Sequence, residues 1–295
     1  MSRRKNILLI PHLLVHNANA LSSPFTIGFP AMTAWLGAVH ALQRKLNSDG
    51  FEDLEFMAVG VVSHKADLQV HRGVGDYVNS IIGTSNPVDK DGKRPAFIEE
   101  ARIHLDVSLV IEFTRVERDE KERFLERVTH HLQSRMKMAG GDIFGFKQLD
   151  IYQVKREKEL AKIRRKLMPS YAIVERRDLM IEAMDRGLDA MDALLEYLTI
   201  NHSCEKDEDG KVLWTSKRKS SGWIVPIATG FQAISELGKA KNQRDANKPH
   251  CFVESVVTLG EFRMVYKIES LDEILWHYSV DKEHGLYLCE QNKNN

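Results

Sequence analysis

Residues 102–113 decide the fold, and they read Arg-Ile-His-Leu-Asp-Val-Ser-Leu-Val-Ile-Glu-Phe. Apolar side chains occupy every second position, at Ile103, Leu105, Val107, Leu109, Ile111 and Phe113. The positions between them are mostly polar. Because successive side chains of a β-strand point to opposite faces, this alternation predicts a strand with one core face and one mostly polar face. Such a strand is typical of an antiparallel sheet.

The segments on either side extend this strand into a repeated order of strands and helices. Strands predicted over residues 7–15 and 54–62 flank one amphipathic helix, and a second amphipathic helix precedes a strand over residues 143–154. The pair Gly140-Gly141 predicts the end of the second helix. The order predicts an α+β fold with a ferredoxin-like βαββαβ core. The apolar positions at helical spacing are Met32, Trp35, Leu36, Val39, Leu42 and Leu46 in the first helix, and Phe124, Leu125, Val128, Leu132 and Met136 in the second.

Two regions follow from this pattern. Residues 1–154 are predicted to form the ferredoxin-like domain, and residues 155–295 a mixed helical and β C-terminal region that binds partners. The second region contains a basic helix at 155–166, a helical segment at 178–200 and a charged, exposed loop at 201–221. Its remaining elements are predicted strands at 222–227 and 252–257 and a helix at 271–278.

Bulk composition limits the classes of function. The 295 residues include 42 basic and 42 acidic side chains, whereas a protein that binds nucleic acid alone usually has a basic excess. This balance favours a subunit that contacts nucleic acid with one local patch. No apolar run is long enough to span a membrane, so a cytoplasmic protein without a membrane partner is expected.

Catalytic and metal-binding motifs are missing from the sequence. The 12 histidines do not form a pattern such as HExxH, and the three cysteines are far apart. No GxSxG, P-loop or GxGxxG sequence is present. We therefore expect no catalytic residue, no metal site, no cofactor and no enzymatic activity.

Three polar segments are candidates for RNA contact, and each has an alternative structural explanation. The loop at 17–27 offers Asn17, Asn19, Ser22 and Ser23, which suit phosphates and base edges but also suit a tight turn. The face of the first helix offers His40, Gln43 and Arg44, as a polar surface or as part of a site. The long connection at 65–100 is predicted to be functional or to fold as its own hairpin. It carries Arg72, Lys93 and Arg94, which could clamp a backbone or be solvated.

A family resemblance rests on these same segments. Asn17-Ala18-Asn19-Ala20-Leu21-Ser22-Ser23-Pro24, Gly28-Phe29-Pro30 and Val39-His40-Ala41-Leu42-Gln43-Arg44 resemble the start of the five-type backbone subunit of the type I-F CRISPR surveillance complex. Shorter matching stretches follow in order along nearly the whole chain. They include Asn86-Pro87, Glu99-Glu100, His104-Leu105, Ala139-Gly140-Gly141, Gly222-Trp223, Leu259-Gly260-Glu261 and Gly285-Leu286-Tyr287.

The resemblance implies a role and a set of partners. Such subunits are repeat-associated RNA-binding proteins with a ferredoxin-like core and a projecting hairpin. They pair with the large subunit, contact the repeated backbone subunit and bind the 5′ handle of the guide RNA, and the assembled complex recognises double-stranded DNA by guide pairing. The expected handle residues are Asn17, Asn19, Ser22, Ser23, His40, Gln43 and Arg44, with Arg72, Lys93 and Arg94 on the hairpin.

Two alternatives remain open at this point. In related subtypes a subunit of this type processes the guide RNA, and His40 with Arg44 could act as the base and the stabilising cation of a ribonuclease. A protein adaptor that never touches RNA is the third possibility. The basic helix at 155–166 is equally open, because phosphate contact, a partner helix or a solvated face would each explain it.

Overall fold

The computed structural model describes residues 4–82, 84–85, 88–94, 97–98, 100–114, 116–117, 119–206, 210–243 and 245–291. Of the stretches that carry the family resemblance, Asn86-Pro87 and Glu99 lie outside the described residues. The described residues form an α+β fold with a large antiparallel sheet and five α-helices, as predicted for the fold class. None of these helices has the length and apolar character that crossing a membrane requires.

The helices are α1 (Met32–Ser48), α2 (Lys121–Ser134), α3 (Glu157–Leu167), α4 (Arg177–Asp185) and α5 (Ala190–Leu198). The strands of the first half are β1 (Lys5–Asn19), β2 (Leu21–Ser23), β3 (Thr26–Ile27), β4 (Phe56–Leu68), β5 (Val70–His71), β6 (Ser80–Ile81), β7 (Thr84–Ser85), β8 (Phe97–Ile98), β9 (Arg102–Phe113), β10 (Lys137–Met138), β11 (Gly141–Gly145) and β12 (Asp150–Val154). Those of the second half are β13 (Tyr171–Glu175), β14 (Asn201–Lys206), β15 (Val212–Lys217), β16 (Ile224–Ala233), β17 (Val253–Met264), β18 (Trp276–Asp281) and β19 (Leu286–Gln291).

The first half is a sheet in the order β11–β1–β9–β4, with β12 also paired to β1. The predicted strand at 102–113 is therefore central, with β1 on one side and β4 on the other. Buried side chains on its two faces belong to two different hydrophobic cores. Leu105, Val107 and Leu109 face α1 and α2, whereas Val110 faces the core that contains α3.

Helix α1 follows the predicted pattern closely. All six apolar positions named from the sequence are buried, and Trp35 lies next to Phe29 with ring centroids 5.6 Å apart. The indole of Trp35 also donates a hydrogen bond to the Pro30 carbonyl at 3.3 Å. The helix is thus fixed on the sheet by its whole length, and its remaining polar residues lie on the surface.

The sheet continues beyond β4 and closes on itself. The order β4–β13–β17–β16–β19–β18 leads back to β4, where Trp276 of β18 pairs with Val59. Trp276 has no solvent exposure, and its indole N–H donates to the Ile173 carbonyl at 3.1 Å. Strands from both sides of residue 154 therefore share one sheet. The domain division at that residue stays a prediction.

The predicted end of the second helix is wrong. Helix α2 ends at Ser134, and Ala139 and Gly140 instead form the two-residue turn between β10 and β11. Both turn residues have left-handed φ values, 48° and 78°, as the tight turns that suit β-hairpin twist require. The strand predicted at 143–154 is also two strands, both of which pair with β1.

Two predictions for the C-terminal region differ from the structure. The segment predicted as a loop at 201–221 is exposed as expected, but most of it forms the β14–β15 hairpin. The helix predicted at 271–278 is limited to one 3₁₀ turn over Leu271–Glu273, and β18 begins at Trp276. Cross-strand pairing with β19 stabilises the extended form there.

Candidate functional site

The polar loop predicted at 17–27 is an ordered hairpin. Strand β1 continues through Asn19, and β2 and β3 then pair around residues 24–25. This hairpin, residues 17–27, leads directly towards α1. Along the chain it therefore comes directly before α1, the other segment whose residues were predicted to contact the 5′ handle of the guide.

Three of the four predicted loop residues are bonded within the hairpin. The Asn19 amide donates to the Leu21 carbonyl at 3.0 Å and accepts from the Leu21 N–H at 3.1 Å. The buried Ser23 hydroxyl lies 2.7 Å from the Thr26 hydroxyl, and the Ser22 hydroxyl lies 2.9 Å from it. Asn19, Ser22 and Ser23 therefore hold the shape of the hairpin.

Asn17 differs from these three residues. Its backbone is left-handed, with φ at 56°, and its side chain is exposed. The backbone N–H donates to His104 Nδ1 at 3.0 Å, and the carbonyl accepts from Arg102 at 3.5 Å. Among the described residues no hydrogen bond involves the Asn17 side-chain amide, so both its donor and its acceptor are available to a ligand.

The glycine turn after β10 supports the base of the hairpin. The Asn19 N–H donates to the Ala139 carbonyl at 2.9 Å. A Cβ at Gly141 would lie 2.5 Å from the His16 carbonyl oxygen and 2.7 Å from the Ala18 nitrogen. Glycine is therefore required at position 141, because the backbone of β1 passes where a side chain would begin.

His40 and Gln43 line one cleft, of about 350 Å³, between α1 and β4. Gln43 uses its side-chain carbonyl to accept from the Phe56 N–H at 2.7 Å, which joins α1 to the start of β4. His40 is exposed. Tyr278 and Tyr287 form the far wall of the cleft, and burial raises the pKa of both phenols. They are neutral hydrogen-bonding groups at physiological pH.

Arg44 lines a different cleft, of about 430 Å³, between α1 and α2. Lys45 and Arg135 also line it, so three basic side chains face one opening. His40 and Arg44 are four residues apart on α1 and so are neighbours on the helix surface, but each lines a different cleft. The pair that a ribonuclease would need is therefore not assembled within one cleft.

An ion-pair network, in which His131 is buried and Asp49 and Arg127 are partly exposed, lies at the Arg44 cleft, which Asp49 and His131 line. The Asp49 carboxylate accepts from Arg127 Nε at 2.8 Å and lies 2.6 Å from His131 Nε2. The hydrogen bond from Arg127, together with the one from His131, lowers the pKa of Asp49 to about 2. This network joins the C-terminal end of α1 to α2 and so fixes the width of the cleft.

The insertion at 65–100 contains two short antiparallel ribbons in its described residues, β5–β6 and β7–β8. Arg72 lies in the turn of the first ribbon, where its Nε donates to the Asp76 carbonyl at 2.9 Å. Lys93 and Arg94 lie at the second turn, and both are exposed. The structure thus places these cations on two separate turns.

Helix α3 lies on the sheet face opposite α1 and α2. Leu160, Ile163 and Leu167 are buried against that face. Arg164 is paired with Glu157, and Lys166 with Asp150. The other basic residues of this helix that are exposed are Lys158, Lys162 and Arg165.

Sequence reasoning missed the polar residues that gather on the sheet. His104 and Arg102 of β9 support Asn17, and His12 of β1 meets His64 of β4 beside Asp106. Burial, and then the charge of His12, lower the pKa of His64. The alternation of β9 predicted the polar face, but it could not predict which residues from β1 and β4 share that face.

Comparison with known proteins adds to this geometry. Residues 8–289 match the sequence family described as CRISPR-associated protein (Cas_Csy2). The CRISPR-associated protein Csy2 of Pseudomonas aeruginosa (strain UCBPP-PA14) is 32% identical over 308 aligned residues, which cover 95% of this chain and 94% of that protein. Both findings support a subunit of a type I-F CRISPR system, as the resemblance implied. The chain therefore belongs to the Csy2 family of CRISPR-associated proteins.

Proposed function

We propose that this chain is the subunit of a type I-F CRISPR surveillance complex that binds the 5′ handle of the guide RNA and pairs with the large subunit. It acts in the cytoplasm, without a cofactor, as part of a complex that recognises double-stranded DNA through guide pairing. Family membership supports the assignment to a CRISPR complex, and the hairpin at 17–27 supports RNA contact.

The observation that carries the proposal is the division of roles within this hairpin. Asn19, Ser22 and Ser23 use their side chains to hold the loop, whereas the Asn17 amide is exposed and unused among the described residues. Phe25 at the tip is 67% exposed, and an aromatic ring on such a loop can stack on an unpaired base. A preformed loop loses little conformational entropy on binding, so its contacts contribute to affinity.

We also propose a ferredoxin-like unit as the support of this site. The first four predicted strands lie in the order fourth, first, third, second, and α1 and α2 share one face of the sheet. This arrangement is the split βαβ order. It places the hairpin at the end of a central strand, where the sheet holds it rigidly.

The insertion supports a protein contact with the repeated backbone subunit. Val74, Tyr77 and Val78 are between 73% and 109% exposed, although a valine or tyrosine is usually at least partly buried. Clusters of exposed apolar residues mark interaction surfaces. Arg72, Lys93 and Arg94 on the same insertion would then face RNA that runs between the two subunits.

A non-catalytic role is the better proposal for the α1 surface. A ribonuclease of this kind needs a base and a cation on the same phosphodiester. His40 and Arg44 line different clefts. Arg44, with Lys45 and Arg135, instead suits binding of a phosphate by charge.

The test combines the full-length chain and the large subunit with end-labelled guide RNA that carries a native or a scrambled 5′ handle. We expect tight binding to the native handle only, with the RNA intact. Asn17→Ala should weaken native-handle binding by about 10-fold, the loss of one or two hydrogen bonds. Asn242→Ala is the matched control, because Asn242 is also exposed and left-handed, with φ at 62°.

Each contrary outcome points elsewhere. Shortened RNA would make the chain a ribonuclease. Equal binding to both handles, or no binding, would leave a protein adaptor and refute the handle assignment. If Asn17→Ala and Asn242→Ala behave alike while native-handle binding remains specific, the handle is bound by residues outside the hairpin at 17–27.

A further inference from the structure

The polar face of the central sheet contains a group of residues that the proposed function does not use. On β9 the side chains of His104, Asp106 and Ser108 alternate with the core residues that face α1 and α2. Helix α3 covers the part of this face near Val110. His12 from β1 and His64 from β4 meet Asp106 beside the covered part.

A β-bulge in β1 directs His12 to this face. The pairing of β1 with β9 shifts register between Ile10 and Leu13, and His12 has a left-handed φ of 52°. A left-handed conformation costs a non-glycine residue about 1–2 kcal/mol, so the surrounding contacts must select it. One such contact is the His12 N–H, which donates to the buried Ser108 hydroxyl at 3.0 Å. Bulges often re-aim a side chain at a functional site.

The three side chains are close enough to share one ion. His12 Nδ1 is 3.1 Å from each carboxylate oxygen of Asp106, and the His12 and His64 rings stack with centroids 4.0 Å apart. One possible ligand atom from each residue lies within 4.8 Å of the other two. Two ligands on one tetrahedral ion at about 2.1 Å each lie about 3.4 Å apart. Small side-chain rotations would therefore bring all three to bonding distance.

His64 is oriented as metal-binding histidines usually are. Its Nδ1 lies 3.2 Å from the Pro169 carbonyl, an acceptor, so this nitrogen carries the proton and Nε2 has the free lone pair. The Ser108 hydroxyl, 2.7 Å away, donates to that Nε2. A cation could replace this weak donor because a hydroxyl can rotate to another acceptor.

We propose that His12, His64 and Asp106 bind one divalent transition-metal ion of the class that includes Zn²⁺. Two imidazoles and one carboxylate are a known ligand set for such ions, whereas Mg²⁺ and Ca²⁺ prefer oxygen ligands alone. The ion takes the place of the proton between His12 Nδ1 and Asp106 and adds His64 Nε2. It ties β1, β4 and β9 together at the bulge, and water fills the remaining positions. Lys147 near His64 is exposed and can move into solvent.

The competing explanation is a simple ion pair between protonated His12 and Asp106. His12→Arg separates the two, because arginine preserves an ion pair with Asp106 but removes an imidazole ligand. The double variant His64→Gln/Asp106→Asn removes two ligands with side chains of similar size. His16→Gln/His104→Gln is the matched control, since these two rings lie 4.7 Å apart on the same sheet face.

The experiment titrates Zn²⁺ and Co²⁺ into the full-length chain after treatment with a chelator. We expect one equivalent to bind to the wild type and to the His16/His104 control, with visible Co²⁺ absorption and a raised Tm. His12→Arg and the His64/Asp106 variant should bind at least about 100-fold more weakly. Far-UV circular dichroism and Tm without metal show that the variants are folded, and His12→Arg carries the test if the double variant is not.

Two results would overturn the proposal. The first is a wild type that binds no single equivalent of either ion. The second is a folded His12→Arg variant whose affinity equals that of the wild type, which would place any ion on other histidines.

Discussion

Alanine at position 141 should destabilise the protein and also weaken handle binding. The new Cβ would lie 2.5 Å from the His16 carbonyl oxygen, 2.7 Å from the Ala18 nitrogen and 2.8 Å from Val15 Cγ1. Two of these atoms belong to the backbone of β1, so no side-chain rotation relieves the contact. Overpacking typically costs about 1–3 kcal/mol, and we expect Gly141→Ala at the upper end of that range.

Two nearby glycines provide controls for this substitution. A Cβ at Gly145, in the same strand, would have no neighbour within 4 Å, and we expect Gly145→Ala to change stability by less than about 0.5 kcal/mol. Gly140 also has open space but a left-handed φ of 78°. Gly140→Ala should therefore cost about 1–2 kcal/mol from backbone strain alone.

Urea unfolding of the three full-length variants measures this order of stability, and the handle-binding assay measures the functional consequence. Because β1 must move away from position 141, the hairpin at 17–27 should shift, and native-handle affinity should fall for Gly141→Ala more than for Gly140→Ala. Equal stability of the Gly141 and Gly145 variants would refute the steric argument. A destabilised Gly141→Ala variant with unchanged handle affinity, measured where it is fully folded, would refute the link between the glycine turn and the site.

The remaining predictions concern the ion-pair network, the closed sheet, the hairpin and the basic cleft. Ionised Asp49 stabilises the fold, because its pKa in the folded state is lowered to about 2. The difference in free energy of unfolding between wild type and Asp49→Asn should therefore be largest above about pH 4 and shrink towards pH 2, which unfolding measured at a series of pH values will show. Trp276→Phe should lower the free energy of unfolding by about 1–3 kcal/mol in urea, since the Ile173 carbonyl loses the shorter of its two buried side-chain hydrogen bonds and keeps only the one from Gln291 at 3.4 Å. Asn19→Ala should lower both the stability and the handle affinity. Asn17→Ala should lower the affinity as well, with a smaller loss of stability, because alanine tolerates the left-handed φ of 56° less well than asparagine does. Arg44→Ala should weaken RNA binding and reduce the slope of log affinity against log salt by about one; an unchanged slope would exclude phosphate contact by this residue.

The spacing of apolar residues predicted β9 and α1 correctly, because buried side chains recur every second residue in a strand and every three to four residues in a helix. The alternation at 102–113 gave β9, and the six apolar positions of α1 are all buried. The same reasoning failed at Gly140, where a glycine pair fits a helix end and a hairpin turn equally well. Pairing of β10 with β11 and of β11 with β1 decides between them, and these partners are distant in sequence.

Long-range pairing also explains the other differences. Trp276 begins a strand rather than continuing a helix because β4 and β19 provide partners for it. No local sequence pattern predicts the closure of the sheet at Val59, because the sequence of β4 does not indicate that β18 is its partner, and the reverse is also true. The grouping of His12, His64 and Asp106 could not be predicted either, because no short motif connects them. The alternation of β9 predicted only that Asp106 lies on its polar face.

The hairpin at 17–27 shows why composition alone could not assign roles to the candidate residues. Asparagine and serine suit both ligand binding and the internal bonds of a tight turn, because each offers a short side chain with a donor and an acceptor. The hydrogen-bond partners of each side chain in the structure distinguish the two uses. The side chains of Asn19 and Ser23 already make hydrogen bonds within the hairpin, so replacing them should change RNA affinity only through the shape of the loop. In the proposed complex the exposed Asn17 amide would contact RNA directly, and a preformed loop beneath it would make that contact stronger than the same amide on a flexible chain.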